Sequence, residues 1–221
     1  MAGKPAATAY TLDDMAKDAA RLLDALKIER AHIVGASMGG MIAQMVAANH
    51  PHKTLSLTSI MSSTGNPALP QAKPETMALL MTRPPADDFK AQVEHAVRTQ
   101  LAVSSPGYPP DPGQLRHQTV GDLNRSNYPV GVTRQMAAVI AGGDRREALK
   151  TISAPTVVLH GADDPLVPLA AGRDTADNIK GAELVVIPGM GHDLPPGLYQ
   201  TFADTIWRAV ERSRSRAPAN A

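Results

Sequence analysis

Four short, largely apolar runs separated by helix-length stretches constrain this chain more than any other feature. They occupy residues 31–37 (AHIVGAS), 55–63 (LSLTSIMSS), 154–161 (APTVVLHG) and 182–189 (AELVVIPG). Runs of this length read as strands, and strands that are apolar throughout are covered by helices on both faces. The intervening stretches supply those helices. Between residues 11 and 28, Leu12, Met15, Ala19, Leu22, Leu23 and Leu26 recur at spacings of three and four, with Thr11 placed as an N-cap and Asp13 and Asp14 in the first turn. Residues 38–51, 168–180 and 196–214 also read as helices. Strands alternating with helices imply an α/β architecture with a mostly parallel sheet.

The alternation is broken once. From residue 65 to residue 146 prolines stand at 67, 70, 74, 84, 85, 106, 109, 110, 112 and 129, between helical patches such as DDFKAQVEHAVRTQLA. This predicts a helical cap inserted into one core, which is made of residues 1–64 and 147–213, with a flexible tail over 214–221. With 221 residues and 43% hydrophobic side chains, one buried core is expected rather than two. The net charge is +1, and no run of Lys or Arg exceeds Arg145-Arg146. That balance points away from nucleic acid and anionic membranes and toward a small neutral substrate. The chain has no cysteine, which excludes disulfides and thiolate metal sites. The first residues, MAGKPAATAYTLDD, do not read as a signal peptide, and no segment reaches the roughly 18 apolar residues of a membrane span. A cytoplasmic protein is expected.

The chemistry gathers where strands end. Gly35-Ala36-Ser37-Met38-Gly39 fits G-x-S-x-G, and it falls between a predicted strand and a predicted helix, where a tight turn presents a serine hydroxyl. The Met38 N–H and the helix N-terminus would face the negative charge that develops on an attacked carbonyl. A serine nucleophile needs a base, and the base needs an orienting carboxylate. HGADDPLVP supplies Asp163 and Asp164 after one strand, and PGMGHDLPP supplies His192 after another. His160 reads as a structural residue. The remaining histidines, at 32, 50, 52, 95 and 117, lack metal-ligand spacing, so neither metal nor cofactor is expected.

Through GASMGG, HGADDPLVP and PGMGHDLP, the chain resembles the α/β-hydrolase superfamily, in particular bacterial esterases and aclacinomycin methylesterase-like proteins. The resemblance runs from Tyr10 to about Arg212 and is weakest in the insertion. It implies a triad of Ser37, Asp164 and His192, the acid being the Asp before Pro, with Asp163 as the alternative. It also implies roughly 60 to 80 further residues ahead of Tyr10, holding additional strands and a loop that donates a second oxyanion N–H. A truncated α/β-hydrolase is therefore expected, its 31–37 strand left with an open edge, and with it a homodimer that completes the sheet.

Function follows from the triad. The reading is a serine carboxylester hydrolase that acts on small esters through an acyl-enzyme. Lactone hydrolysis or perhydrolysis on the same triad, or a weakly active binding protein, are the alternatives. Met61 and Met190, with Met77, Met81 and Met136, are candidates for lining an adaptable acyl pocket.

Overall fold

The computed structural model describes residue 8 and residues 10–215. At its centre lies a four-stranded parallel sheet in the order β1 (Ala31–Ala36), β2 (Thr54–Ile60), β3 (Thr156–Gly161) and β4 (Glu183–Ile187). Each of the four apolar runs supplies one strand. Around the sheet pack α1 (Leu12–Ala25), α2 (Met38–Asn49), α8 (Leu169–Asp177) and α9 (Tyr199–Arg214). Between β2 and β3 come α3 (Pro74–Met81), α4 (Phe89–Val103), α5 (Pro112–Arg125), α6 (Pro129–Gly142) and the single turn α7 (Arg146–Leu149).

Side chains alternate across a strand, so neighbouring residues of β2 and β3 enter different cores. Leu57 packs with Ala43 and Ala47 of α2 on one face, whereas Ile60 and Leu159 pack with Phe202 of α9 on the other. His160, one residue beyond Leu159, lies against Gly172 of α8. Thus α2 and α8 cover one face and α9 the opposite one. Among the described residues β1 is bonded on one side only, to β2, and His32 and Val34 on it are exposed.

Helix α1 forms where the periodicity places it, closed by a capping box in which Thr11 and Asp14 satisfy each other's backbone N–H. Its buried face differs from the expected one. Leu12, Ala16 and Ala20 are buried, while Leu22 and Leu26 are each 59% exposed. Small alanines let the backbone approach α2 closely, where Ala16 meets Met45 and Val46. Close packing therefore selected the alanine stripe over the larger leucine one.

Both ends of the helical insertion are tied to one side chain. Arg145 is buried, and its guanidinium donates to Ser63 O at 2.7 Å and Gly143 O at 3.0 Å, while its backbone N–H donates to Thr64 O at 2.9 Å. Burial without a carboxylate partner in bonding contact pushes its pKa down to about 10. Gly65, with φ +79°, fits beside the Gly143 carbonyl, where a Cβ would collide. At the far end α9 continues through Arg214, so residue 214 is helical, and the tail expected beyond it lies outside the described residues from 216 onward. No helix among the described residues is long and apolar enough to cross a membrane.

Candidate active site

The turn between β1 and α2 holds Ser37 at φ 54° and ψ −122°, a conformation that costs a non-glycine residue of order 1–3 kcal/mol. Three contacts maintain it. The Ser37 N–H donates to Ile60 O at 2.9 Å, tying the turn to β2, and the Ser37 carbonyl accepts from Gly40 N–H at 2.9 Å and from Ser62 Oγ at 2.9 Å. Close packing explains two of the glycines: a Cβ on Gly35 would collide with the Gly39 carbonyl, and one on Gly40 would lie 2.6 Å from Ser62 Cβ. Gly39, the last glycine of the G-x-S-x-G pattern, is different, because a Cβ there meets nothing within 4 Å. Close packing therefore requires glycine at 35 and 40 but not at 39. Met38 opens α2, so its N–H has no acceptor within the helix.

His192 reaches this turn from the loop after β4. Its Nε2 lies 2.9 Å from Ser37 Oγ, and its Nδ1 lies 2.7 Å from Asp164 Oδ2. A carboxylate at Nδ1 fixes the proton there, which leaves Nε2 to accept from the serine hydroxyl. Asp164 is buried, and its other oxygen, Oδ1, accepts from Leu166 N–H at 2.9 Å and Val167 N–H at 2.7 Å. Asp163 points elsewhere: its Oδ2 accepts from Gly189 N–H at 2.8 Å, pinning the start of the His192 loop. Of the two adjacent carboxylates, the structure places Asp164 against the imidazole. His160 is fully buried behind them, and its Nε2–H donates to Val167 O at 2.7 Å. Burial lowers its pKa below 6.5, so it packs as a neutral ring 3.7 Å from Asp164 Oδ2.

One set of contacts had no signal in the sequence. The C-terminal end of α4 and the segment after it grip the His192 loop through the backbone. His192 N–H donates to Val103 O at 2.7 Å, and Gly191 N–H donates to Ser105 Oγ at 2.9 Å. Ser105 is fully buried, and its hydroxyl donates to Asp193 Oδ1. Gly107 N–H donates to Gly189 O at 2.9 Å, and a Cβ on Gly191 would strike Val103 O and Ser104 O at 2.6 Å. Ser105 lies 86 residues from Gly191 in the chain, and no motif links them. The insertion thus holds the imidazole's backbone in place.

A cavity of about 710 Å³ opens beside His192, between the insertion and the loop that follows β4. Met61 lines it. Met190 does not: it is fully buried with Ile60, Leu159 and Phe202, so it belongs to the core rather than to a substrate wall. Met77, Met81 and Met136 are exposed and do not border this cavity either. The remaining wall sets three glutamines and two aspartates among prolines, tyrosines and the aliphatic Val103, Leu115 and Leu194, in place of the methionine-rich lining expected. Among the described residues no group of three or more His, Cys, Asp or Glu is arranged to hold a metal ion.

The family model for the alpha/beta hydrolase fold matches residues 2–195. The chain belongs to this family. Among curated relatives, it is 26% identical to the rhodomycin D methylesterase of Streptomyces sp. (strain C5), over 89% of this chain and 72% of that protein. It is 30% identical to a poly(3-hydroxyalkanoate) depolymerase of Ectopseudomonas oleovorans, over 94% of this chain and 70% of the depolymerase. Among solved structures, an N-acyl homoserine lactone degrading enzyme superposes with a TM-score of 0.62 at 31% identity, covering 97% of this chain and 78% of that one. A meta-cleavage product hydrolase from Pseudomonas fluorescens IP01 superposes with a TM-score of 0.71 at 19% identity, a likeness of fold.

Proposed function

We propose that the protein is a serine carboxylester hydrolase, a reading carried by the unbroken chain of hydrogen-bond distances from Ser37 Oγ through His192 to Asp164. Ser37 Oγ attacks the ester carbonyl as its proton passes to His192 Nε2. The C–O bond to the alcohol then breaks, and His192 returns the proton to the departing oxygen. Water attacks the acyl-Ser37 ester with His192 again acting as base, releasing the acid and restoring the hydroxyl. Asp164 holds the imidazole tautomer and faces the imidazolium that forms in each half-reaction. The Met38 N–H, at the positive end of α2, donates to the oxyanion. The methylesterase and depolymerase relatives support ester chemistry.

Lactone hydrolysis is the second reading, and the 31% identity to an N-acyl homoserine lactone degrading enzyme favours it. A lactone is a cyclic ester, so attack is the same and the alcohol stays attached to the acyl group. Hydrolysis of p-nitrophenyl butyrate and of an N-acyl homoserine lactone, compared by kcat/KM with wild type and Ser37→Ala, tests both. Turnover of either that vanishes in the variant supports the triad, and equal rates in wild type and variant refute it.

We also propose that a second copy of the chain pairs with the open edge of β1 across a two-fold axis. The exposed Val34 on that strand supports this, since an apolar, unpaired edge favours association. Light scattering with size exclusion is expected to give twice the chain mass, reduced to one chain mass in Val34→Lys. A wild-type monomer contradicts the proposal.

A further inference from the structure

The cavity beside His192 carries an electrostatic and hydrogen-bonding character that ester chemistry alone does not require. Its polar wall comes from two elements of the insertion and from the loop bearing the imidazole. Gln100 of α4 and Gln114 and Gln118 of α5 contribute three carboxamides, and Asp111 and Asp193 contribute two carboxylates. Among the described residues no lysine or arginine lines it. The two α5 glutamines stand four residues apart and so share one helix face. Gln100 is held by a hydrogen bond from its Nε2 to Thr119 Oγ1 at 3.2 Å. The positive end of α5 does not reverse the sign of the field, because Asp111 caps that end, accepting from Gln114 N–H at 2.7 Å.

Resting on the esterase reading, we infer that this cavity selects esters whose non-reacting half is polar and not anionic, bearing a carboxamide, hydroxyl or ammonium group. Each carboxamide both donates and accepts, so it suits neutral amides and hydroxyls. An ammonium gains from both carboxylates, whereas a substrate carboxylate meets two like charges and finds no cation to pair with. In water-like surroundings, a carboxylate about 6 Å from a charged substrate group changes its binding by about threefold, so two change it by about tenfold.

Four methyl esters of similar length test the inference: hexanoate, 6-aminohexanoate, adipamate and monomethyl adipate. The expected kcat/KM for the amino and amide esters exceeds that of monomethyl adipate by about tenfold or more. Asp111→Asn keeps a good helix cap while removing one charge, and it is expected to narrow the ratio of amino ester to adipate several-fold. Equal rates across the series, a preference for the adipate, or a ratio unmoved by Asp111→Asn overturns the inference. Covalent labelling of Ser37 by an uncharged fluorophosphonate separates the two readings. Labelling with no charge preference sinks the cavity inference alone, whereas no labelling and no turnover of any ester sinks the esterase reading beneath it.

Discussion

Replacing Ser105 by alanine removes one hydroxyl more than eighty residues from the loop it supports, and the structure fixes what that costs. The side chain is fully buried, accepts from Gly191 N–H at 2.9 Å and donates to Asp193. Without it the buried Gly191 N–H loses its acceptor, which costs about 1–3 kcal/mol. Asp193 is half-buried, so water replaces part of its bond and the additional loss there is about 0.5–1 kcal/mol. The sum, about 1.5–4 kcal/mol, corresponds to a fall in Tm of about 3–16 °C for a chain of this size. The loss falls on the residues either side of His192, so kcat is expected to drop about tenfold with KM changed less. Differential scanning calorimetry gives the first quantity and steady-state ester hydrolysis the second. Ser105→Thr keeps the hydroxyl and is expected to recover much of both. A Ser105→Ala protein within 2 °C of wild type and with unchanged kcat would refute the view that the insertion holds the imidazole's backbone.

Gly35→Ala is expected to lose at least about 2 kcal/mol of stability, because its Cβ collides with the Gly39 carbonyl, while Gly39→Ala is neutral or gains up to about 1 kcal/mol in urea denaturation. Asp164→Asn is expected to lower kcat about 10³- to 10⁴-fold by releasing the imidazole tautomer, whereas Asp163→Asn, whose side chain accepts from Gly189 N–H and not from the imidazole, stays within about tenfold of wild type. His160 is buried neutral with its pKa below 6.5, so the unfolded chain binds a proton that the folded one does not as pH falls below 6.5. Its contribution to stability is complete above that pH and is lost below it, toward the folded-state pKa. In urea melts, His160→Gln is therefore expected to lose less stability than wild type between neutral and mildly acidic pH, by up to about 1.4 kcal/mol per pH unit in that window. His32 and His50, also lowered by burial, remain in both proteins, so the difference reports His160; parallel curves would contradict the assignment.

The strands were legible because sheets buried on both faces need continuous apolar runs, and all four runs found in the sequence are strands. Ser37, His192 and the pair Asp163 and Asp164 were also visible, since each stands just after a strand in a parallel sheet, where the C-terminal strand ends converge; position alone did not separate the two carboxylates, and the family resemblance pointed to Asp164. Local spacing does not report which small residues allow helices to approach, so the buried stripe of α1 was misread toward its leucines. The same limit applied to Met190: a methionine near the site looks alike in sequence whether it faces a cavity or the core beneath it. The grip of Val103 and Ser105 on the His192 loop, and the double tie of Arg145, are contacts between distant segments made largely through backbone atoms. Such contacts leave no pattern of side-chain types to read.

The most direct test of the central claim is the intact mass of the protein after exposure to a fluorophosphonate, for wild type and Ser37→Ala. One adduct per chain in the wild type and none in the variant is expected, since His192 already stands 2.9 Å from Ser37 Oγ and 2.7 Å from Asp164 Oδ2. A folded wild-type protein that takes up no adduct, or an adduct that persists in Ser37→Ala, would contradict it.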